Sequence, residues 1–299
     1  MITYETLIDG GYLSWVHGTR PQNFGGWPLA RFKYRESLIL LDSPILWRTG
    51  YYPLYKARRK SRRAGDPVRM EAHAKVMRFR AILKDDPIMK TLELVGAEAD
   101  DLLGLAWLKG HGRRAVLAED KDLCQVPGLM DRMRDFWGEP IVSHLHLPKY
   151  LREPETPGEY VLLQALLGDR SDSIPRLLPS LPRDSIFLSK VIWSSFSPLM
   201  TALALYGADL VQNLNLVLIP GPFLRRDHGR LMEEPLLLAN LVEDGSYWDP
   251  EGFVDLPEPR LPEDFPDDWE AKVRAELVDT WEAGKDLEDL FGPETESMR

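Results

Sequence analysis

Thr91-Leu92-Glu93-Leu94-Val95 runs into Gly96-Ala97-Glu98-Ala99-Asp100-Asp101 and then into Leu102–Lys109. The first five residues are a short β-type run. The last stretch repeats Leu and Ala at helical spacing and stops at Gly110. Between them lies a turn that places three carboxylates where the strand ends and the helix begins. Three more segments follow the same plan. Tyr4–Ile8 ends in Asp9-Gly10-Gly11, Leu38–Leu41 in Asp42-Ser43-Pro44, and Ala115–Ala118 in Glu119-Asp120. Ile141–Leu145 reads as a fifth strand. Short, near-continuous apolar runs indicate strands buried on both faces of a parallel sheet. Val68–Leu83 reads as a helix with Pro67 at its first position. Strand and helix alternate over residues 1–155, which predicts an α/β, doubly wound, mostly parallel sheet.

From Thr156 the chain reads as helical: Glu159–Leu167 ended by Gly168, Ile186–Ser194, and Pro198–Tyr206 followed by Gly207. Beyond Pro220 it turns Pro- and acid-rich and predicts a weak core. The expected division is 1–155, 156–220 and 221–299.

Charge follows the same division. The 299 residues carry a net charge of −10. Residues 250–299 hold 16 acids against 5 bases, and the remaining 32 bases and 31 acids nearly cancel. Ser43–Gly65 has no acid and contains Arg48, Lys56, Arg58, Arg59, Lys60, Arg62 and Arg63. Such a run faces solvent or a polyanion. Hydrophobic residues make up 44% of the chain, which excludes global disorder. No apolar run reaches the roughly 20 residues of a membrane span, and Met1–Gly11 lacks a basic leader, so a cytoplasmic protein with no membrane contact is expected. The single Cys124 excludes an internal disulfide framework and a cysteine zinc site. His144 and His146 share one face of the expected fifth strand, without a third ligand near them in sequence.

In open α/β sheets, ligands bind outside the carboxyl ends of the strands. Asp9, Asp42, Glu98, Asp100, Asp101 and Asp120 therefore meet on one rim. Asp122 lies two residues beyond Asp120, and Asp169 and Asp172 follow the Glu159–Leu167 helix. Any one of these alone reads as a turn or cap residue. Together they are like charges that need cations to stay ionised. Hard oxygen ligands with few histidines suit Mg²⁺ or Mn²⁺. The number of carboxylates suits two ions about 4 Å apart, the arrangement that cleaves phosphodiesters.

These segments, in this order, resemble the 5′-nuclease family: flap endonucleases, phage 5′–3′ exonucleases and the 5′-nuclease domain of bacterial DNA polymerase I. Leu7-Ile8-Asp9-Gly10 resembles the first strand and its metal aspartate. Leu41-Asp42-Ser43-Pro44 with Trp47-Arg48 resembles the second, in its podophage form. Tyr55-Lys56-Ala57-Arg58-Arg59, Gly96-Ala97-Glu98-Ala99-Asp100-Asp101, Glu119-Asp120-Lys121-Asp122-Leu123 and Gly168-Asp169-Arg170-Ser171-Asp172-Ser173-Ile174-Pro175 are similar to four further family elements.

The resemblance implies a PIN-like nuclease domain, a helix–hairpin–helix-type DNA-binding region over 156–220 and an acidic extension. It implies a first metal site from Asp9, Asp42, Glu98 and Asp100, with Asp101 ligating or standing behind it. A second would come from Asp120, Asp122, Asp169 and Asp172. Lys56 would contact the scissile phosphate, helped by Arg59 and Arg58. Tyr55 would stack on a terminal base, and Lys60, Arg62 and Arg63 would contact the DNA backbone. Residues from about 50 to 90 would form an arch for a single-stranded 5′ end. Expected partners are DNA single strands, flaps and duplexes, RNA–DNA hybrids, and a replication protein reached by the acidic tail. The family's glycine-rich hairpin, which holds a potassium ion, is replaced by Arg176-Leu177-Leu178-Pro179-Ser180-Leu181-Pro182-Arg183. Two prolines and no glycine put the potassium site in doubt, and Arg176 and Arg183 would supply charge instead. A non-catalytic replisome scaffold and a PIN-like ribonuclease are the rival readings.

Overall fold

A computed structural model describes residues 4–19, 34–141, 154–179 and 182–259. Among the described residues, five parallel strands form one sheet in the order β3-β2-β1-β4-β5. They are β1 (Tyr4–Asp9), β2 (Ser37–Leu41), β3 (Lys90–Glu93), β4 (Gly112–Leu117) and β5 (Met133–Arg134). Leu7 pairs with Leu38 and Val116, and Leu40 with Leu92, so the carboxyl ends of β1 to β4 share one edge.

Alternation along the strands builds two cores. Leu7, Leu38, Leu40 and Val116 pack with Leu102, Leu103 and Ala106 of α5 (Ala99–Leu108). Ile8, Ile39 and Leu41 face the other way, toward Leu13 and Val16 of α1 (Gly10–Thr19) and Phe79 and Leu83 of α4 (Pro67–Asp85). Asp66 caps α4 by accepting from the amides of Val68 and Arg69 at 3.0 and 3.3 Å, with Pro67 in the first turn. Between β2 and α4 the acid-free segment forms two short helices, α2 (Trp47–Tyr51) and α3 (Ala57–Ala64).

A third core belongs to the helical layer: α6 (Pro157–Leu167), α7 (Pro182–Trp193), α8 (Pro198–Tyr206), α9 (Ala208–Val217), α10 (His228–Glu233) and α11 (Pro235–Glu243). Val161, Leu162, Leu163, Ala165 and Leu166 of α6 are all buried within it. No helix among the described residues is long and apolar enough to cross a membrane.

Three sequence expectations change. The fifth strand is Met133–Arg134; of Ile141–Leu145 only Ile141 lies within the described residues, and His144 and His146 lie outside them. The helix expected at Ile186 begins at Pro182. The weak core expected beyond Pro220 does not describe residues 221–253: Leu231, Leu238, Val242, Tyr247, Trp248 and Phe253 are buried against the helical layer. Arg225 lies beneath them, stacked on Tyr247 and Phe253 and paired with Asp227 at 2.8 Å. Residues 260–299, most of the acidic extension, lie outside the described residues.

Candidate metal and nucleic-acid site

At the carboxyl edge of the sheet the first group of acids gathers around the start of α1 and α5. Asp9 closes β1, and its Oδ1 accepts from the amides of Gly11 and Tyr12 at 2.7 and 3.1 Å, which caps α1. Asp42 follows β2 and accepts from the Ala99 amide at 2.9 Å, so it is fastened to the first turn of α5. A Cβ on Gly11 would stand 3.1 Å from Asp9 Oδ1 and 3.9 Å from Asp42 Oδ2. Gly11 thus leaves open the space between two carboxylates.

Asp100, in the first turn of α5, lines the cleft and lies close enough to feel both charges. Burial, then the charges of Asp120, Asp9, Glu98 and Asp42, push its carboxyl well above the ordinary range. Among the described residues no side chain donates to it. Burial and Asp42 raise Asp9 to about 7 against the pull of its two amides. Burial and Asp122 raise Asp120 to about 6. This is the electrostatic signature of carboxylates gathered without enough positive charge.

Glu98 and Asp101 differ. Asp101 is fully buried and saturated: Arg48 donates to it at 2.6 and 2.7 Å, the Gly221 amide at 2.7 Å and the Glu98 amide at 3.1 Å. It therefore stands behind the site rather than in it. Glu98 Oε2 accepts from Arg48 at 3.0 Å and from Tyr55 at 2.7 Å, and Oε1 meets Lys56 Nζ. Burial would raise Glu98, but Lys56 and Arg48 outweigh it and hold the group at about 2.

The second group comes from the Lys121–Gln125 turn and the loop after α6. Asp120 Oδ1 accepts from the Asp122 amide at 2.8 Å. Asp122 is bonded by Lys121 at 2.7 Å and by Gln164. Asp169 Oδ1 accepts from the amide and hydroxyl of Ser171 at 2.6 and 2.7 Å, and Oδ2 meets Lys121 at 3.1 Å. Burial opposes ionisation of Asp169; Ser171 and Lys121 prevail and lower it to about 2. Asp172 pairs with Arg59 at 2.5 Å, and its burial raises it.

Glu98, Asp100, Asp120, Asp122, Asp169 and Asp172 line a cleft of about 820 Å³ together with Lys56, Arg58, Arg59 and Arg176. As the side chains lie, no three described His, Cys, Asp or Glu residues converge on one ion. The donor chemistry nevertheless fits hard divalent cations: carboxylate oxygens on short side chains, an open space at Gly11, and raised carboxyls that a cation would relieve.

Lys56 opens α3 with φ 56°, a left-handed conformation that is uncommon for a side-chain-bearing residue. Its amide donates to the Asp172 carbonyl at 2.8 Å. Nothing on α3 is buried, so Arg58, Lys60 and Arg62 project as an exposed basic face, and Arg63 meets His73. Tyr55 departs from expectation. It is 4% exposed and its hydroxyl is committed to Glu98, so its ring is not offered to a base. The amides of Leu177 and Leu178 both donate to the Leu166 carbonyl, at 3.0 and 3.1 Å, and so close α6 instead of facing outward. Arg176 is exposed on the cleft rim and donates to the Leu178 carbonyl at 3.0 Å. The backbone of Arg183 lies in α7, and its side chain is outside the described residues.

Five contributors escaped the sequence reading. Gly11 leaves no signal beyond its size. Arg48 looks like one more base of the acid-free run. Lys121, Gln164 and Arg80, the last 4.0 Å from Asp42, are unremarkable until folded.

No family model matches the chain, and no curated protein matches it in sequence. Solved structures do. The T5 D15 protein co-crystallised with metal ions aligns with a TM-score of 0.50 at 17% identity, covering 81% of this chain and 98% of that one. A zinc-bound T5 5′-exonuclease aligns at 0.49 and 16% identity, covering 78% and 98%. The bacteriophage T5 flap endonuclease in a pseudo-enzyme–product complex with DNA and metal ions aligns at 0.49 and 17%, covering 82% and 98%. At a TM-score of 0.50 the T5 D15 structure shows a shared fold.

Proposed function

We propose that this chain is a divalent-metal-dependent 5′-nuclease that hydrolyses DNA phosphodiesters, of the phage type its motifs resemble. The observation that carries the reading is the set Asp9, Asp42, Asp100 and Asp120. They are gathered at one sheet edge; burial raises the carboxyls of Asp9, Asp100 and Asp120, and Asp100 and Asp120 line the cleft that also holds Lys56 and Arg59. A protein that only binds phosphate gains nothing from concentrating negative charge beside it.

Asp9, Asp42, Glu98 and Asp100 would hold one Mg²⁺ or Mn²⁺, and Asp120, Asp122, Asp169 and Asp172 a second. Bound there, the ions would activate water and stabilise the leaving oxygen. The chain's own groups do the rest. Lys56 and Arg59, on the first turn of α3, neutralise charge growing on the phosphate. Lys121 holds Asp122 and Asp169 apart from each other's repulsion. Arg58, Lys60, Arg62 and Arg63 track the DNA backbone. Residues from about 50 to 90 form the arch, residues 156–220 grip duplex, and the acidic extension serves a protein partner. With the Leu177 and Leu178 amides spent on Leu166, potassium is dispensable for that grip, and Arg176 substitutes for it. Removal of RNA primers or 5′ flaps, or 5′–3′ degradation of DNA, are the roles this chemistry suits.

The test is cleavage of 5′-labelled single-strand, blunt-duplex, 5′-flap and RNA–DNA hybrid substrates in Mg²⁺, Mn²⁺ or EDTA, beside Asp100→Asn and Asp172→Ala. Metal-dependent cutting that both variants lose supports the reading. DNA binding without metal-dependent cutting on any substrate overturns it and leaves a nucleic-acid-binding scaffold.

A further inference from the structure

We infer that Arg48 is a positioning residue: from the floor of the cleft it fixes one oxygen of Glu98, leaves the other on the side of the cleft where a divalent ion would be held, and ties that carboxylate to the helical layer. The inference rests on the metal reading above and assigns a residue which that reading does not use. Arg48 sits on α2 and is 2% exposed. All five of its N–H donors are committed. Nε donates to the Leu216 carbonyl at 3.0 Å. Nη1 donates to Glu98 Oε2 at 3.0 Å and Asp101 Oδ2 at 2.6 Å. Nη2 donates to Asp101 Oδ1 at 2.7 Å and the Leu218 carbonyl at 2.8 Å.

The division of labour within Glu98 is what points to positioning. Oε2 is held by Arg48 and Tyr55, both buried, whereas Oε1 faces Lys56 on the cleft wall. A carboxylate anchored through one oxygen presents the other in a fixed direction, and such anchors tune metal affinity. Asp101 is the counter-charge that keeps the guanidinium in place, with the Gly221 amide fixing it in turn. Leu216, Leu218 and Gly221 belong to the end of α9 and the segment after it, so the helical layer sets the direction in which Glu98 points.

Lysine keeps the charge but not the planar fork, and cannot span two carboxylates and two carbonyls. Arg48→Lys should therefore weaken Mn²⁺ binding about 10- to 100-fold, read by calorimetric titration of the DNA-free protein. The control is Leu163→Ala, a cavity in the core of α6 whose side chain makes none of these hydrogen bonds, which should lower Tm and leave Mn²⁺ affinity unchanged. Should Arg48→Lys not fold, Arg48→Gln with Asp101→Asn leaves no unpaired buried charge and is expected to show the same loss of affinity. Unchanged Mn²⁺ affinity in the Arg48 variants, or an equal loss in Leu163→Ala, overturns the inference while the metal reading stands. A wild-type protein that binds no Mn²⁺ overturns both.

Discussion

The amide of Lys56 donates to the carbonyl of Asp172 at 2.8 Å, so the residue that caps the basic helix is fastened to the last carboxylate of the site. The cation that would meet the phosphate and an acid that would hold a metal thus share one backbone bond, 116 positions apart in sequence. Lys56→Ala keeps that bond and removes only the ammonium. Cleavage of a 5′-labelled single strand should fall about 100- to 1,000-fold, the usual cost of one transition-state donor, and Tm should fall as well, because the ammonium is the leading charge that keeps buried Glu98 ionised. Because φ is 56°, Lys56→Gly should melt higher than Lys56→Ala while being equally inactive.

Asp100 and Asp101 are adjacent and should respond in opposite ways. Asp101→Ala strands the Arg48 guanidinium in the interior, which costs on the order of 3–5 kcal/mol; thermal unfolding should show it. Asp100→Asn removes a charge that four neighbouring acids oppose. It should melt no lower than wild type in EDTA while losing cleavage.

The metal-free protein should be more stable at pH 5 than at pH 7.5. Asp9 at about 7 and Asp120 at about 6 titrate above their unfolded values, near 4. Between those values the folded state binds more protons than the unfolded one, so stability falls as pH rises through the window from about 4 to about 7. Glu98 and Asp169, held at about 2, act with the opposite sign: their contribution is present above about pH 4 and is lost as pH falls toward 2. Melting curves in EDTA across pH 3 to 8 should therefore peak near pH 5, and Asp9→Asn should flatten the upper slope.

Gly11→Ala places a methyl between Asp9 and Asp42. Mn²⁺ affinity should fall by about tenfold or more, because the carboxylates must spread to admit it. Calorimetric titration reads this directly, and far-ultraviolet circular dichroism should stay native.

Lys60, Arg62 and Arg63 lie on a helix that buries nothing. Replacing any one by Ala should weaken single-strand binding evenly across sequences and reduce the slope of log K against log salt by about one at most. Anisotropy titrations at several salt concentrations would show it, with Tm unchanged.

What the sequence made legible follows from the physics of each element. β1, β2, β3 and β4 are read to within three residues because each carries a short apolar stretch that the sheet buries, Leu7-Ile8, Leu38–Leu41, Leu92 and Val116-Leu117; the largest miss is the start of β4, where Arg113 and Arg114 are exposed. Two-residue β5 has no length over which a period could show. Asp9, Asp42 and Asp120 were visible because each closes or closely follows a strand, and strand order does not change which edge they share; Asp122, Asp169 and Asp172 follow a turn or a helix and stood out only within their motifs. Arg48 stands in the Trp47-Arg48 pair of a family-like element, but the basic run around it hid its role, and only the fold separates one buried guanidinium from its exposed neighbours. Tyr55 likewise sits in a motif, yet its ring turns inward to Glu98. Residues 221–253 were discounted on composition, whereas a few large side chains, Tyr247, Trp248 and Phe253, account for their packing.

Among the described residues, the sheet that carries the carboxylates ends on four-residue β3 and two-residue β5. An all-parallel sheet assembles through pairings far apart in sequence, which is slow and leaves strand edges uncovered while it proceeds. Edges this short offer a second chain little to pair with. The same economy that makes β5 invisible in the sequence gives the folding chain some protection from joining its neighbours edge to edge.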